Sequence, residues 1–178
     1  MAAAQSLDPK LVPANIGALV DATGWLASSL RSKKTDTRRR VERMRDVQTA
    51  LAAEILPYIE SLELFDLADH LDDVIDRMRL DKTYLPVVHS ERNDTIFRAI
   101  LSDIHVLPER VIRPVVRYYS QLCAIEAIID DLRSDAFQTM REEQREAIYA
   151  DYIGLKIEAL ALGRRAVDAI DVELQARQ

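Results

Sequence analysis

The stretch that decides the fold runs from Val41 to Leu62 and reads VERMRDVQTALAAEILPYIESL. Its apolar residues return every three or four positions, which is the spacing of one face of an α-helix and, over several turns, of a coiled-coil seam. The stretch therefore predicts a long amphipathic helix, beginning after a capping residue at Thr35 or Asp36. Pro57 predicts a kink or an interruption in that helix. The buried stripe, with Gln48 as its one polar member, is Val41, Met44, Gln48, Leu51, Ile55, Tyr58 and Leu62.

Stripes of the same period continue towards the middle of the chain. The apolar face resumes beyond Pro57 in a shifted frame, because the step from Leu62 to Leu64 breaks the spacing. Residues 81–88 contain Pro86 and predict an extended connection. Asn93 or Asp94 then caps a short helix. The resumed stripe consists of Leu64, Leu67, Leu71, Val74, Ile75 and Met78.

Two further helices are expected in the last third of the chain. One begins at Pro108 or at Pro114, because proline is tolerated in the first turn of a helix. Its expected buried face is Val115, Val116, Tyr119, Leu122, Ile125, Ile129 and Leu132. Ser134 or Asp135 caps the other, which is expected to run for roughly 40 residues to the C-terminus. Its expected buried stripe is Phe137, Met140, Ile148, Tyr152, Leu155, Ala159, Leu162, Ala166, Ile170 and Leu174. Within this helix, Gly154 and Gly163 are positions where another helix can approach closely.

These patterns together predict an all-α fold, a bundle of long antiparallel amphipathic helices with an additional N-terminal helix. With 178 residues the chain suits one bundle domain, which we place at residues 35–178, preceded by a docking or anchor segment at residues 1–34. Four glycines and six prolines supply too few turns for an all-β fold. The single cysteine, Cys123, lies in an apolar run and is expected to be a buried, inert thiol in a reducing, cytoplasmic compartment.

Charge is distributed unevenly along the chain. Eight basic and two acidic residues lie between Arg31 and Arg45, a net charge of +6, so the rest of the chain carries −12 against a total of −6. We call residues 31–45 the basic collar. Its basic residues are Arg31, Lys33, Lys34, Arg38, Arg39, Arg40, Arg43 and Arg45.

The collar follows an apolar stretch, Leu11–Leu30, which predicts an amphipathic N-terminal helix. Seven aliphatic residues favour membrane insertion by about 2–4 kcal/mol, but Asp21 opposes it by about 2.5–3.5 kcal/mol, so a simple transmembrane span is not expected. A helix lying in an anionic membrane surface, at the inner face of the membrane, and a helix packed against protein or a second copy both remain open. The predicted docking residues are Ile16, Leu19, Val20, Leu26, Leu30, Lys33, Lys34, Arg38, Arg39 and Arg40.

This layout resembles a group of uncharacterised bacterial membrane-associated proteins. The resemblance lies in the order of an apolar N-terminal helix, the run Arg38-Arg39-Arg40 and a soluble helical domain. It extends to the motif Ile104-His105-Val106-Leu107-Pro108, followed by Val115-Val116-Arg117-Tyr118-Tyr119. Asn15 and Asp21 depart from the apolar character of the first helix. The resemblance implies membrane association and carries no catalytic motif.

Patterns that carry chemistry are sparse. In the segment Asp66–Asp73, Asp66 and His70, and likewise Asp69 and Asp73, are four residues apart and share helix sides. A helical-bundle metal site needs Glu-x-x-His motifs, which the sequence lacks, so a solvated acidic face is the preferred interpretation and no metal or cofactor is predicted. A carboxylate-dependent metalloenzyme stays as an alternative.

The function predicted from these observations is a non-enzymatic structural or interaction protein. Its bundle would serve oligomerisation, or docking on a partner or membrane surface. A nucleic-acid-associated protein that uses the collar is a further alternative. It is less favoured, because the collar contains no aromatic residues and the rest of the chain is acidic.

Overall fold

The computed structural model describes the backbone of residues 12–176 and the side chains of residues 35–176. Two units divide the chain, Met1–Arg43 and Met44–Gln178. The predicted all-α class is confirmed: the described residues 12–176 are predominantly helical and contain no strand. The helices are α1 (Val12–Glu63), α2 (Leu67–Leu80), α3 (Thr95–Ile100), a 3-10 helix (Leu101–Val106), α4 (Glu109–Leu132), α5 (Asp135–Thr139) and α6 (Glu142–Gln175).

Helix α1 is continuous over 52 residues, so the predicted break at Thr35 or Asp36 is wrong. Threonine and aspartate cap a helix only where the backbone leaves helical geometry, and elsewhere they are merely weak helix formers. The surrounding arginines and lysines are strong ones, and no glycine or proline lies between Ser28 and Ala53. The helix also runs through Pro57 without ending there. The division of the chain at residue 34 stays a prediction.

The break in the stripe after Leu62 marks the end of α1. Leu64 and Phe65 form an exposed turn, and Asp66 then caps α2. Its Oδ1 atom accepts hydrogen bonds at 3.1 Å from the backbone N–H groups of Ala68 and Asp69. A carboxylate in this position accepts hydrogen bonds from backbone N–H groups that have no partner within the first turn of the helix, and it interacts favourably with the helix dipole.

The middle of the chain follows the sequence prediction. Residues 81–94 contain no helix, and Asp94 directly precedes α3. Pro108 occupies the N-cap position of α4, which then continues through Pro114. Proline at these two places therefore starts one helix and is accommodated early in it, where few intrahelical hydrogen bonds are lost.

The prediction of one long last helix is wrong, because the helix is interrupted at Met140 and Arg141. Ser134 caps the short helix α5 as expected, accepting a hydrogen bond from Phe137 N at 3.2 Å. Helix α6 then starts afresh at Glu142, where the Gln144 side chain accepts from the Arg141 N–H at 3.3 Å. Periodicity alone missed this interruption, because Phe137 and Met140 fit the apolar stripe whether or not the helix is continuous there.

Two apolar clusters form the core of the unit that begins at Met44. The first joins the buried stripe of α1 to α4 and α6, and the second joins α2 to α4, α5 and α6. Helices α4 and α6 are antiparallel, because Arg110 pairs with Glu173 while Gln121 bonds the Leu155 carbonyl at 3.1 Å. The stripe of α1 is buried from Met44 to Leu62, Gln48 included; Val41 is 38% exposed.

Cys123 was expected to be buried, and this expectation is wrong because its side chain is exposed. The buried face of α4 contains Val111, Val115, Tyr118, Ile125 and Ile129, at steps of four, three, seven and four residues. A residue one position beyond the stripe is rotated by about 100° from it. Cys123 lies in that place, after the half-buried Leu122, and Val116 is 40% exposed for the same reason.

Candidate functional site

The basic collar is the first candidate site, and its described part is exposed. Every side chain from Thr35 to Arg43 is exposed, as is Arg45, so the predicted docking residues Arg38, Arg39 and Arg40 are accessible. Arg38 donates to Glu42 one turn later at 2.8 Å, and both side chains are largely in solvent. An ion pair of this kind contributes little to stability. The side chains of Arg38, Arg39 and Arg40 are therefore largely in contact with solvent.

The remaining predicted docking residues lie outside the described side chains. The backbone at these positions belongs to α1, so the helix predicted there is present. Within the part of the chain that the structure describes, no helix is both long enough and apolar enough to cross a bilayer. The predicted docking residues outside the described side chains are Ile16, Leu19, Val20, Leu26, Leu30, Lys33 and Lys34.

The acidic segment Asp66–Asp73 has an explanation in the fold. Asp66 caps α2, whereas Asp69 and Asp73 are exposed. The Nε2 atom of His70 lies 3.1 Å from the Tyr149 hydroxyl. Among residues 35–176, His, Cys, Asp and Glu side chains form no group of three that could hold a metal ion.

A second candidate site, which the sequence did not predict, is a cavity of about 530 Å3. Its walls come from the end of α1, the start of α2, the extended connection and the middle of α6. We call it the Glu91 cavity, after the carboxylate that joins three of these elements. Four aromatic side chains line it: Tyr58, Phe65, Tyr149 and Tyr152.

Glu91 receives three hydrogen bonds from two helices. The Tyr58 hydroxyl donates to Oε2 at 2.8 Å, and the Tyr152 hydroxyl donates to Oε1 at 3.2 Å. Lys156 Nζ donates to Oε1 at 2.7 Å and lies 5.0 Å from the centroid of the Tyr152 ring. Charge-assisted hydrogen bonds of this kind are the stronger ones, and cation–π contact adds to them. The network therefore fixes the extended connection against α1 and α6.

The tyrosines of this site are held in their neutral form. Burial, followed by the negative charge of Glu91, raises the pKa of Tyr58 and Tyr152 above the ordinary value. Burial also raises the pKa of Tyr149 to about 12. A neutral phenol donates a hydrogen bond, whereas a phenolate would repel the Glu91 carboxylate. These residues therefore act as donors near neutral pH.

Sequence reasoning missed this site because its parts are far apart in the chain. Tyr58, Tyr152 and Lys156 are separated from Glu91 by 33, 61 and 65 positions. The one available signal was the polar run His89-Ser90-Glu91-Arg92-Asn93 at the end of an extended connection. Loops that a rigid scaffold positions often carry function, but the run alone names no partner.

Comparison of the chain with family models, with curated proteins and with solved structures gives no match.

Proposed function

We propose that this chain is a non-enzymatic interaction protein that attaches its helical body to an anionic membrane surface through residues 11–45. The observation that carries the proposal is the uniform exposure of residues 35–43 on α1. Because the apolar residues of Leu11–Leu30 directly precede the collar, one continuous helix presents an apolar segment and then a cationic one. The membrane-associated proteins that this layout resembles fit the same proposal.

The charge of the collar supports an anionic lipid surface. A juxtamembrane basic residue contributes about 1 kcal/mol near such a surface, and a basic flank beside an apolar helix adds to its affinity. The collar carries +6, whereas the rest of the chain carries −12 on a total of −6. The acidic rest of the chain is repelled by the same lipids, so the collar is the part expected to contact them.

Vesicle binding by the full chain tests the proposal. We expect it to sediment with phosphatidylserine-containing vesicles and to bind vesicles of phosphatidylcholine alone much more weakly. Changing Arg38, Arg39 and Arg40 to glutamate removes at least three favourable contacts, about 3 kcal/mol, so affinity falls roughly a hundredfold. Reversing Arg117, Arg133 and Arg165, three exposed arginines of the body, changes the net charge equally and serves as the control.

Two results would contradict attachment through the collar. One is equal binding of the collar variant and the control variant. The other is collar-dependent, salt-sensitive self-association without vesicles and no preference for anionic lipid, which would assign the collar to the acidic body of a second copy. Removing residues 1–34 completes the test, because the remaining chain should stay helical and lose vesicle binding.

A further inference from the structure

The Glu91 cavity combines an apolar wall with a group of polar side chains. Leu62, Phe65, Val88 and Ile153 contribute to the apolar part, beside the tyrosines named above. Ligand pockets for small molecules measure about 300–1,000 Å3 and combine hydrophobic and aromatic walls with convergent polar groups. At about 530 Å3 the Glu91 cavity lies within that range. Its size and lining suit an organic molecule of one or two rings.

Two of the polar groups in the cavity are cationic donors, Lys156 and Arg92. Glu91 is the one carboxylate of the lining, and its oxygens already accept from Tyr58, Tyr152 and Lys156. An ammonium group has three donors, and the contacts of Lys156 with Glu91 leave room for another acceptor. Arg92 also lines the cavity, and its guanidinium carries up to five donors.

The net charge of the cavity lining also favours an anionic group over a cationic one. Arg92 and Lys156 against Glu91 give the lining a net charge of +1, with His70 and His89 as two further imidazoles. The whole chain, in contrast, carries −6. A partly enclosed cationic site within an acidic protein attracts anions and disfavours cations.

We propose that the Glu91 cavity binds a small organic anion whose apolar, preferably aromatic, body lies against Tyr58, Phe65 and Tyr149. The carboxylate or other anionic group of the ligand is bound by Lys156 and Arg92. Glu91 acts as a positioning residue, because its hydrogen bonds hold Lys156 and the extended connection in place. This site is separate from the collar and does not depend on membrane attachment.

Calorimetric titration of the full chain with 2-naphthoate tests the site, with 2-naphthalenemethanol and 2-naphthylmethylamine as neutral and cationic probes of the same ring system. We expect one naphthoate per chain, bound roughly tenfold more tightly than the alcohol because of the added charge-assisted contacts, and no binding of the amine. Equal affinity for the acid and the alcohol, or absence of naphthoate binding, would overturn the proposal.

Three variants locate the binding site. Lys156→Met and Arg92→Met each remove a cation and keep an unbranched apolar side chain, and each should raise the Kd for naphthoate roughly tenfold. Arg165→Met removes an exposed cation on the outside of α6 and should leave the Kd unchanged. Arg92 is exposed, so its variant keeps the test valid if Lys156→Met fails to fold. Loss of binding in the collar variant with retention in Arg92→Met would place the probe on the collar and refute the cavity site.

Discussion

Residues 35–43 and residues 44–62 belong to the same helix, α1, but their environments are opposite. The first segment is exposed on all sides, whereas the second buries a regular stripe from Met44 to Leu62 in the first apolar cluster. The change occurs within one turn, between Val41 at 38% exposure and Met44 at 6%. Both segments have helical backbone throughout.

This difference shows that helix formation and burial have separate requirements, although a hydrophobic pattern suggests both at once. Helical backbone needs good helix formers and no interior breaker, and the collar satisfies this through its arginines. Burial needs an apolar face with partners, and in the described part of α1 that face begins only at Met44. A stretch with helix propensity and no covered face is suited to contact something outside the chain. The following experiments test how strictly the two segments differ.

Alkaline pH should affect the body most strongly, since buried tyrosines occur there and residues 35–43 contain none. Burial is the leading cause that raises the pKa of each of five tyrosines, with Glu91 or Glu54 adding to it for several. For Tyr149 the value is about 12. These tyrosines are Tyr58, Tyr118, Tyr119, Tyr149 and Tyr152.

The sign follows from the unfolded chain, in which tyrosine titrates near pH 10. Below that pH both states keep the proton. Above it the unfolded state loses protons that the folded state retains, so the free energy of unfolding falls as pH rises from about 10 towards the folded values. At pH 11 this amounts to about 1 kcal/mol per tyrosine, so the five together lower the free energy of unfolding by several kcal/mol, a large part of the stability of a typical domain.

Circular dichroism and absorbance near 295 nm, followed over the same pH series, check this expectation. Helix loss and tyrosinate formation should coincide above about pH 10. Tyrosinate formation by all six tyrosines at the ordinary pH, with the helical signal intact, would show that the buried hydroxyl groups are accessible, and would contradict the buried network around Glu91.

Truncating one apolar residue in each segment gives the next largest contrast. Leu51 is fully buried, so Leu51→Ala should lower the free energy of unfolding by about 2–5 kcal/mol through lost burial and a residual cavity. Val41→Ala, on the exposed side of the boundary, should change it by less than about 0.5 kcal/mol. Urea denaturation measures both. Similar losses in the two variants would mean that the packed part of α1 extends into the collar.

Sequence pattern was sufficient for the fold class and for most of the core. The stripes found Leu51, Ile55, Ile125, Ile129 and Ile170, because burial in a bundle repeats at the helical period. Potential capping residues were a less reliable guide to where helices begin. Asp66 and Ser134 start helices, whereas Thr35 and Asp36 lie inside one, since a cap acts only where the backbone changes direction.

Individual side chains departed from the pattern for physical reasons. Gln48, the one polar member of the predicted stripe, is buried as the stripe predicts, but its Nε2 atom has no hydrogen-bond partner. Cys123 lies in an apolar run but one step beyond the buried face. The Glu91 cavity depends on pairings between distant positions, and periodicity holds no information about which helix faces which loop.

The two helix-interior glycines of α6 give the smallest contrast and the most local test of how closely the body segment of α1 is packed. A methyl group at Gly163 would overlap Ile59 Cγ2 and approach Tyr118 Cε2 to 3.0 Å, whereas nothing lies within 4 Å of one at Gly154. Both changes to alanine gain about 1 kcal/mol of helix propensity, so their difference isolates the overlap. We expect Gly163→Ala to be less stable than Gly154→Ala by about 1–3 kcal/mol in urea denaturation, the usual cost of overpacking. Equal stability of the two variants would mean that Ile59 moves aside freely, and that α1 does not pack on α6 as closely as the predicted approach at Gly163 requires.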